Sequence, residues 1–193
     1  FKIPQVARFN LAGDFKLPYG VVLTLEGIYS KTLNNIVYSD LNLAESQGAI
    51  NPALTGGVDD RPAYGGRRVN GTDFTNVILL DNTNEGYNYS LTAQLQKSFS
   101  NGLSAMFAYT NGRARSINDG ASSTAISNWE FVQIVNSPNN PPLANSNFDL
   151  RHRLVGNLGY NINYGKDNMF ATAINIFYAG MSGNPFTYLY NGD

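Results

Sequence analysis

The sequence predicts an all-β fold: an antiparallel, up-and-down transmembrane β-barrel segment of about six strands, with short turns at one end and long loops at the other. Three observations predict it. Apolar and polar residues alternate with period 2 along segments of about 12 residues or more. Connections alternate between tight turns and loops of roughly thirty residues, far beyond the usual two to six. Aromatic residues gather near the two ends of the strands.

Six segments carry the alternation. The first, about 4–17, sets Ala7, Phe9, Leu11, Phe15 and Leu17 against Val6, Arg8, Asn10, Asp14 and Lys16, and Pro18-Tyr19-Gly20 turns the chain. The second, about 21–38, sets Val21, Leu23, Leu25, Gly27 and Tyr29 against Val22, Thr24, Glu26 and Ser30. A polar stretch at about 40–72 contains Asn51-Pro52, Gly56-Gly57 and Gly65-Gly66-Arg67-Arg68 and reads as a loop. The third strand, about 74–99, begins at Val77-Ile78-Leu79-Leu80, with a bulge or kink expected at Asn82 to Glu85. It ends in the clearest alternation of the chain, Tyr87, Tyr89, Leu91, Ala93, Leu95 and Phe99 against Asn88, Ser90, Thr92, Gln94, Gln96 and Ser98. Ser100-Asn101-Gly102 turns into the fourth, about 103–114, with Leu103, Ala105, Phe107 and Tyr109 on the apolar parity. A second long loop, about 115–147, holds Asn139-Asn140-Pro141-Pro142 and an apolar piece from Trp129 to Val135. The fifth strand, about 148–164, and the sixth, about 169–182, meet at the turn Gly165-Lys166-Asp167-Asn168. No segment reads as a convincing amphipathic helix.

Composition narrows the classes further. Of 193 residues, 12% are aromatic and only 14% are charged, against roughly 25% charged in an ordinary soluble chain. A net charge of −1 supplies no basic field, so nucleic acid is not an expected partner. Cysteine is absent, which removes disulfides, thiolate catalysis and cysteine-based zinc sites together. No apolar run approaches the ~20 residues of a membrane-spanning helix. The chain opens Phe1-Lys2-Ile3-Pro4, without initiator methionine or leader, which reads as a mature, trimmed or partial chain.

Alternation alone also describes a soluble sheet, but strands of about 12 residues exceed the usual five or six, and the loop lengths sort strictly by end. Outer-membrane barrels have short periplasmic turns and long extracellular loops. Phe15, Tyr19, Phe99, Tyr164 and Phe170 stand beside the short turns, and Tyr29, Tyr89, Tyr109 and Tyr178 at the far ends. These nine are expected to form two membrane girdles. The strand charges Arg8, Asp14, Lys16, Glu26, Asp149, Arg151 and Arg153 share the polar parity, as they must if the other side meets lipid, where a midplane Arg or Lys costs roughly 2–4 kcal/mol. Lys97 lies on the apolar parity, two residues from Phe99, where it can snorkel toward headgroups.

Three stretches, LLDNTNEGYNYSLTAQLQKSFSNGLSAMFAYTNGRA (79–114), SNFDLRHRLVGNLGYNINYG (146–165) and FYAGMSGNPFTYLYNGD (177–193), resemble later barrel strands of TonB-dependent outer-membrane receptors, in particular the Oar-like group with a carboxypeptidase-regulatory-like N-terminal domain. The Phe-Asp-Leu-Arg-His-Arg stretch at 148–153 is the most specific of these. The resemblance implies a barrel of about 22 strands closed by a plug, located in the bacterial outer membrane. It also implies uptake of a nutrient such as chelated iron, a vitamin, a glycan or a peptide, energised through TonB. The chain departs from the pattern in lacking a TonB box, a plug, room for the full barrel and a terminal aromatic, so it is expected to be an internal barrel piece. Physics agrees, because an open sheet edge in hydrocarbon leaves backbone groups unpaired at several kcal/mol each.

No catalytic set emerges, and the protein is not expected to be an enzyme or to need a cofactor. His152 is the sole histidine, on the parity of Leu150 and Leu154, and reads as an interface residue. Asp81, Asn82, Asn84 and Glu85, and also Asp59-Asp60, are oxygen-rich but lack EF-hand spacing and read as turns. Gly165-Lys166 lacks the phosphate-loop spacing. Arg61, Tyr64, Arg67 and Arg68 in the first long loop, with Trp129 in the second, are the candidate ligand-binding residues. Arg8, Glu26, Asp149, Arg151 and Arg153 are the candidate lumen or plug-facing residues. Expected partners are outer-membrane lipid, an unknown nutrient ligand and, by the resemblance, the protein's own plug and the TonB complex. The rival readings are a non-transport barrel or surface module that binds a partner through its loops, and a soluble β-rich carbohydrate-binding domain.

Overall fold

The computed structural model describes residues 1–49, 61–64, 66, 68–120, 122–135 and 137–188. The strands are β1 (Gln5–Lys16), β2 (Val21–Asp40), β3 (Ile78–Thr83), β4 (Tyr87–Ser98), β5 (Leu103–Ser116), β6 (Ala144–Asn145), β7 (His152–Tyr164) and β8 (Phe170–Met181), with one short helix, α1 (Ala125–Glu130), between β5 and β6. They form a single antiparallel sheet in the order β1-β2-β4-β5-β7-β8, with β3 added to β2 and β6 to β5. β1 and β8 are its open edges.

The structure differs from the sequence reading in four places. The segment at about 74–99 is two strands rather than one. β3 pairs the outer part of β2, Asn35 to Asp40, and β4 pairs the inner part, Val21 to Lys31. Asn35 faces Thr83 and Lys31 faces Tyr87, so the register is the same on both sides of the gap and no residue is inserted. The expected bulge is instead an interruption at Gly86, which is buried at φ 124° and accepts the Thr32 N–H at 3.1 Å. A Cβ there would lie 2.8 Å from Thr32 Oγ1, so only glycine fits without a shift.

The strand placed at about 148–164 begins only at His152, because Asp149 N–H turns back to the Ser146 carbonyl at 3.0 Å. β2 runs past 38 to Asp40. The loop at about 115–147 contains both α1 and β6, and the Trp129 piece begins within the helix.

Burial on the central strands is inverted relative to a soluble protein. The polar parity of β4, Ser90, Thr92 and Gln94, is half-buried, whereas Leu91, Ala93 and Leu95 on the other parity are exposed. Ser30 is 2% exposed and Leu91 is 58% exposed. Trp129 is the sole buried large hydrophobic among the described residues, so the sheet carries no apolar core of its own. The apolar area the chain would bury to hold this shape must be covered by something else.

The register also fixes the strand tilt. The row that starts at Lys16, the last residue of β1, runs through Val22, Gln96, Met106 and Asn157 to Phe177. That row reaches β8 seven residues beyond its first residue, Phe170, although both strand ends adjoin short turns. At about 3.3 Å per residue and about 4.8 Å per strand step, bringing the two ends level requires a tilt of roughly 45°. Closed barrels impose this shear.

Candidate functional site at the polar face and loop cluster

The polar face is built from paired side chains. Thr24 donates to Asp14 at 2.5 Å, Asn10 donates to Glu26 at 3.3 Å, and Arg8 Nε donates to Ser30 Oγ at 3.1 Å. Thr92 and Thr110 bond at 2.9 Å, inside a register row that runs from Glu26 through Thr92 and Thr110 to Arg153. Toward the short-turn end a cavity of about 300 Å³ is lined by Gln94, Gln96, Ser104, Met106, Asn157 and Asn175. Amides and hydroxyls both donate and accept, so this face can hold polar, uncharged groups as readily as charged ones.

Two of the candidate lumen residues sit elsewhere. Asp149 is 1% exposed and precedes β7. Its carboxylate accepts Ala114 N–H at 2.7 Å and Arg151 Nε at 3.2 Å. Asp149 and Arg151 therefore staple the loop onto β5 at the rim instead of standing on a strand within the barrel. Beside them, His152 Nδ1 lies 2.7 Å from the Tyr109 hydroxyl and the two rings stack at 6.1 Å.

The long loops are joined by a buried polar node. The Asn139 side chain receives the Asp40 N–H at 2.7 Å and donates to the Asp40 carbonyl at 2.9 Å, and its Oδ1 also accepts Trp129 Nε1 at 2.8 Å. The Asp40 carboxylate takes Asn42 N–H and Val77 N–H, each at 2.9 Å, and Asn76 Nδ2 at 2.6 Å. Asn42 continues the network to the backbone of Asn70 and Phe74. Tyr64 donates to Ser137 at 2.6 Å across the two loops. Between them lies a cavity of about 450 Å³ lined by Leu43, Ala44, Glu45, Ser46, Tyr64, Ser137 and Asn139.

This geometry redraws the expected ligand cluster. Tyr64 lines the cavity, whereas Trp129 is 9% exposed, does not line it and is bonded to Asn139 within the node. Arg68 is half-buried, bridges Leu43 and donates to the Thr75 carbonyl at 2.7 Å. Arg61 is half-buried beside the Ala49–Pro62 bridge. Arg67 lies outside the described residues. Asp40, Glu45, Ser137 and Asn139 were missed; the signal for Asn139 was its place in an Asn-Asn-Pro-Pro turn, which says nothing of its partner 99 residues away.

On the apolar parity, the tilt orders the aromatic residues. Following the register and allowing for the drift across the strands, Phe15, Phe99, Tyr164 and Phe170 fall within roughly three residues of one level, and Tyr29, Tyr89, Tyr109 and Tyr178 within roughly three residues of another. The two levels are roughly 20 Å apart. Tyr19 sits in the first turn at φ 63° and is 89% exposed. Tyr164 stacks on Phe170 at 5.8 Å, and Lys97 Nζ lies 4.4 Å from the Phe99 ring centre.

An exposed apolar side, a polar side of hydrogen-bonded side chains, a tilt of roughly 45° and loops sorted by end together define the wall of a transmembrane β-barrel. The family model of the outer membrane beta barrel domain matches residues 1–193, and the chain belongs to that family. Its place is the bacterial outer membrane, with the short turns toward the periplasm. No curated protein and no solved structure matches the chain.

Proposed function

We propose that the chain forms part of the wall of a TonB-dependent outer-membrane transporter, closed inside by its own plug domain, that takes up a nutrient ligand captured at the loop end. The observation that best supports this reading is the pair of open edges at β1 and β8 on a sheet already tilted by roughly 45°. Edge backbone groups facing hydrocarbon cost several kcal/mol each, so further strands must pair them in the membrane. A barrel wider than the smallest closed forms has a lumen to fill, and the donors and acceptors of the polar face suit a plug.

In this reading the work is done by capture, plug movement and release, without covalent chemistry or cofactor. The cavity between the loops, polar and bordered by Tyr64, Glu45 and Asn139, supports capture of a hydroxyl- or amide-bearing ligand. The test is energised uptake by cells carrying the whole protein, with and without TonB. Accumulation that disappears without TonB while surface binding persists supports transport. Binding with no TonB-dependent accumulation in either strain would instead favour a surface module acting through its loops.

A further inference from the structure

Just beyond the tyrosine level at the loop end, the apolar parity changes character. One register row carries Phe9, Tyr29, Tyr89 and Arg113, and the next carries Ala7, Lys31, Tyr87 and Arg115. Three cations thus stand on the membrane side of the sheet, at the height where hydrocarbon gives way to headgroups. Their anchors are neutral: Lys31 Nζ donates to the carbonyls of Asn84 at 2.8 Å and Gly86 at 3.4 Å, and Arg115 Nη2 donates to the Leu143 carbonyl at 2.6 Å. The Nε atoms of Arg113 and Arg115 are shut off from solvent and have no acceptor. Among the described residues the ion pair formed is Arg151 with Asp149, and nearby Glu85 is exposed and pairs with none of the three.

Directly below lies a trough of about 680 Å³ on the same face. Its floor is Gly13, Gly27 and Ala93, where side chains are absent or small, and Leu11, Leu25 and Leu91 rise around it. Its floor residues Gly13 and Ala93 are four positions along the strands from the Arg113 row, about 13 Å. An apolar slot ending under three uncompensated cations has the outline of a single amphiphile.

We propose that this is a binding site for a phosphate-bearing lipid of the outer leaflet, its phosphate held by Lys31, Arg113 and Arg115 and one acyl chain lying in the trough. Charge complementarity selects an anionic head, and continuity with the apolar face selects a lipid over a free anion. The inference rests on family membership and not on the transport reading.

The experiment is native mass spectrometry of the whole protein extracted from outer membranes in mild detergent, with heat-modifiable mobility as a separate check that each variant is folded. Wild type is expected to retain a phosphate-bearing lipid. The R113Q/R115Q double variant should retain it at least about tenfold less, and R113K/R115K, which keeps the charge, should retain most of it. Gly13→Leu, which fills the trough and leaves the cations in place, should also lose it, and Lys97→Gln at the opposite level should not. Folded R113Q/R115Q and Gly13→Leu proteins that carry as much lipid as wild type would overturn the proposal. So would displacement of the lipid by millimolar inorganic phosphate, or a protein partner bound to this face in its place.

Discussion

Asn139 closes on both backbone groups of Asp40, receiving its N–H at 2.7 Å and donating to its carbonyl at 2.9 Å, so one side chain fastens the second long loop to the end of β2. The same oxygen holds Trp129 Nε1. Removing the amide leaves several buried polar groups unpartnered, at roughly 1–3 kcal/mol each.

Asn139→Ala is therefore expected to loosen the loop cluster and leave the strands intact. Trp129 is the one tryptophan of the chain, so its emission reports on the node. The variant should shift that emission to the red, increase its quenching by iodide and speed amide exchange at Asn42 and Val77. Amide exchange within β4 and β5 should not change.

Gly86 offers a backbone test. At φ 124°, with Thr32 Oγ1 2.8 Å from a built Cβ, Gly86→Ala should cost roughly 1–3 kcal/mol locally. Gly120→Ala, at φ 74° with open space around it, should cost less. Amide exchange at Thr32, whose N–H is held by the Gly86 carbonyl, is the readout.

How much of this was legible in the sequence depends on the range of the interaction. Period-2 alternation is local and forced by strand geometry, so the two faces of β4 could be read directly from Leu91 and Thr92. The split between β3 and β4 was only half legible: the irregularity near Asn82 to Glu85 was visible, but the unchanged register across Gly86 follows from pairing to β2, which no local pattern encodes. Trp129 misled for a similar reason. An aromatic in a polar loop looks available to a ligand until Asn139 is brought beneath it by the fold. Asp149 and Arg151 misled by parity, which has no meaning in the turn that Ser146 and Asp149 make before β7.

The two faces should respond oppositely to charge. Leu95 and Gln96 are adjacent in β4, both exposed in the isolated sheet, and both lie between the two aromatic levels, close to midway. Leu95→Arg should destabilise the barrel in vesicles by roughly 2–4 kcal/mol in a denaturant titration, whereas Gln96→Arg should stay within about 1 kcal/mol of wild type.

The central claim is that hydrocarbon covers the apolar parity, and a spin-label scan of β4 tests it most directly. The chain has no cysteine of its own, so single cysteines placed at 89 to 96 are the only thiols within it. In reconstituted whole protein, labels at Tyr89, Leu91, Ala93 and Leu95 should collide freely with oxygen dissolved in lipid and poorly with a water-soluble nickel complex, and labels at Ser90, Thr92, Gln94 and Gln96 should show little oxygen contact. Equal oxygen contact at both sets, or immobilised odd-numbered labels beneath a protein layer with the even-numbered ones open to bulk water, would contradict it.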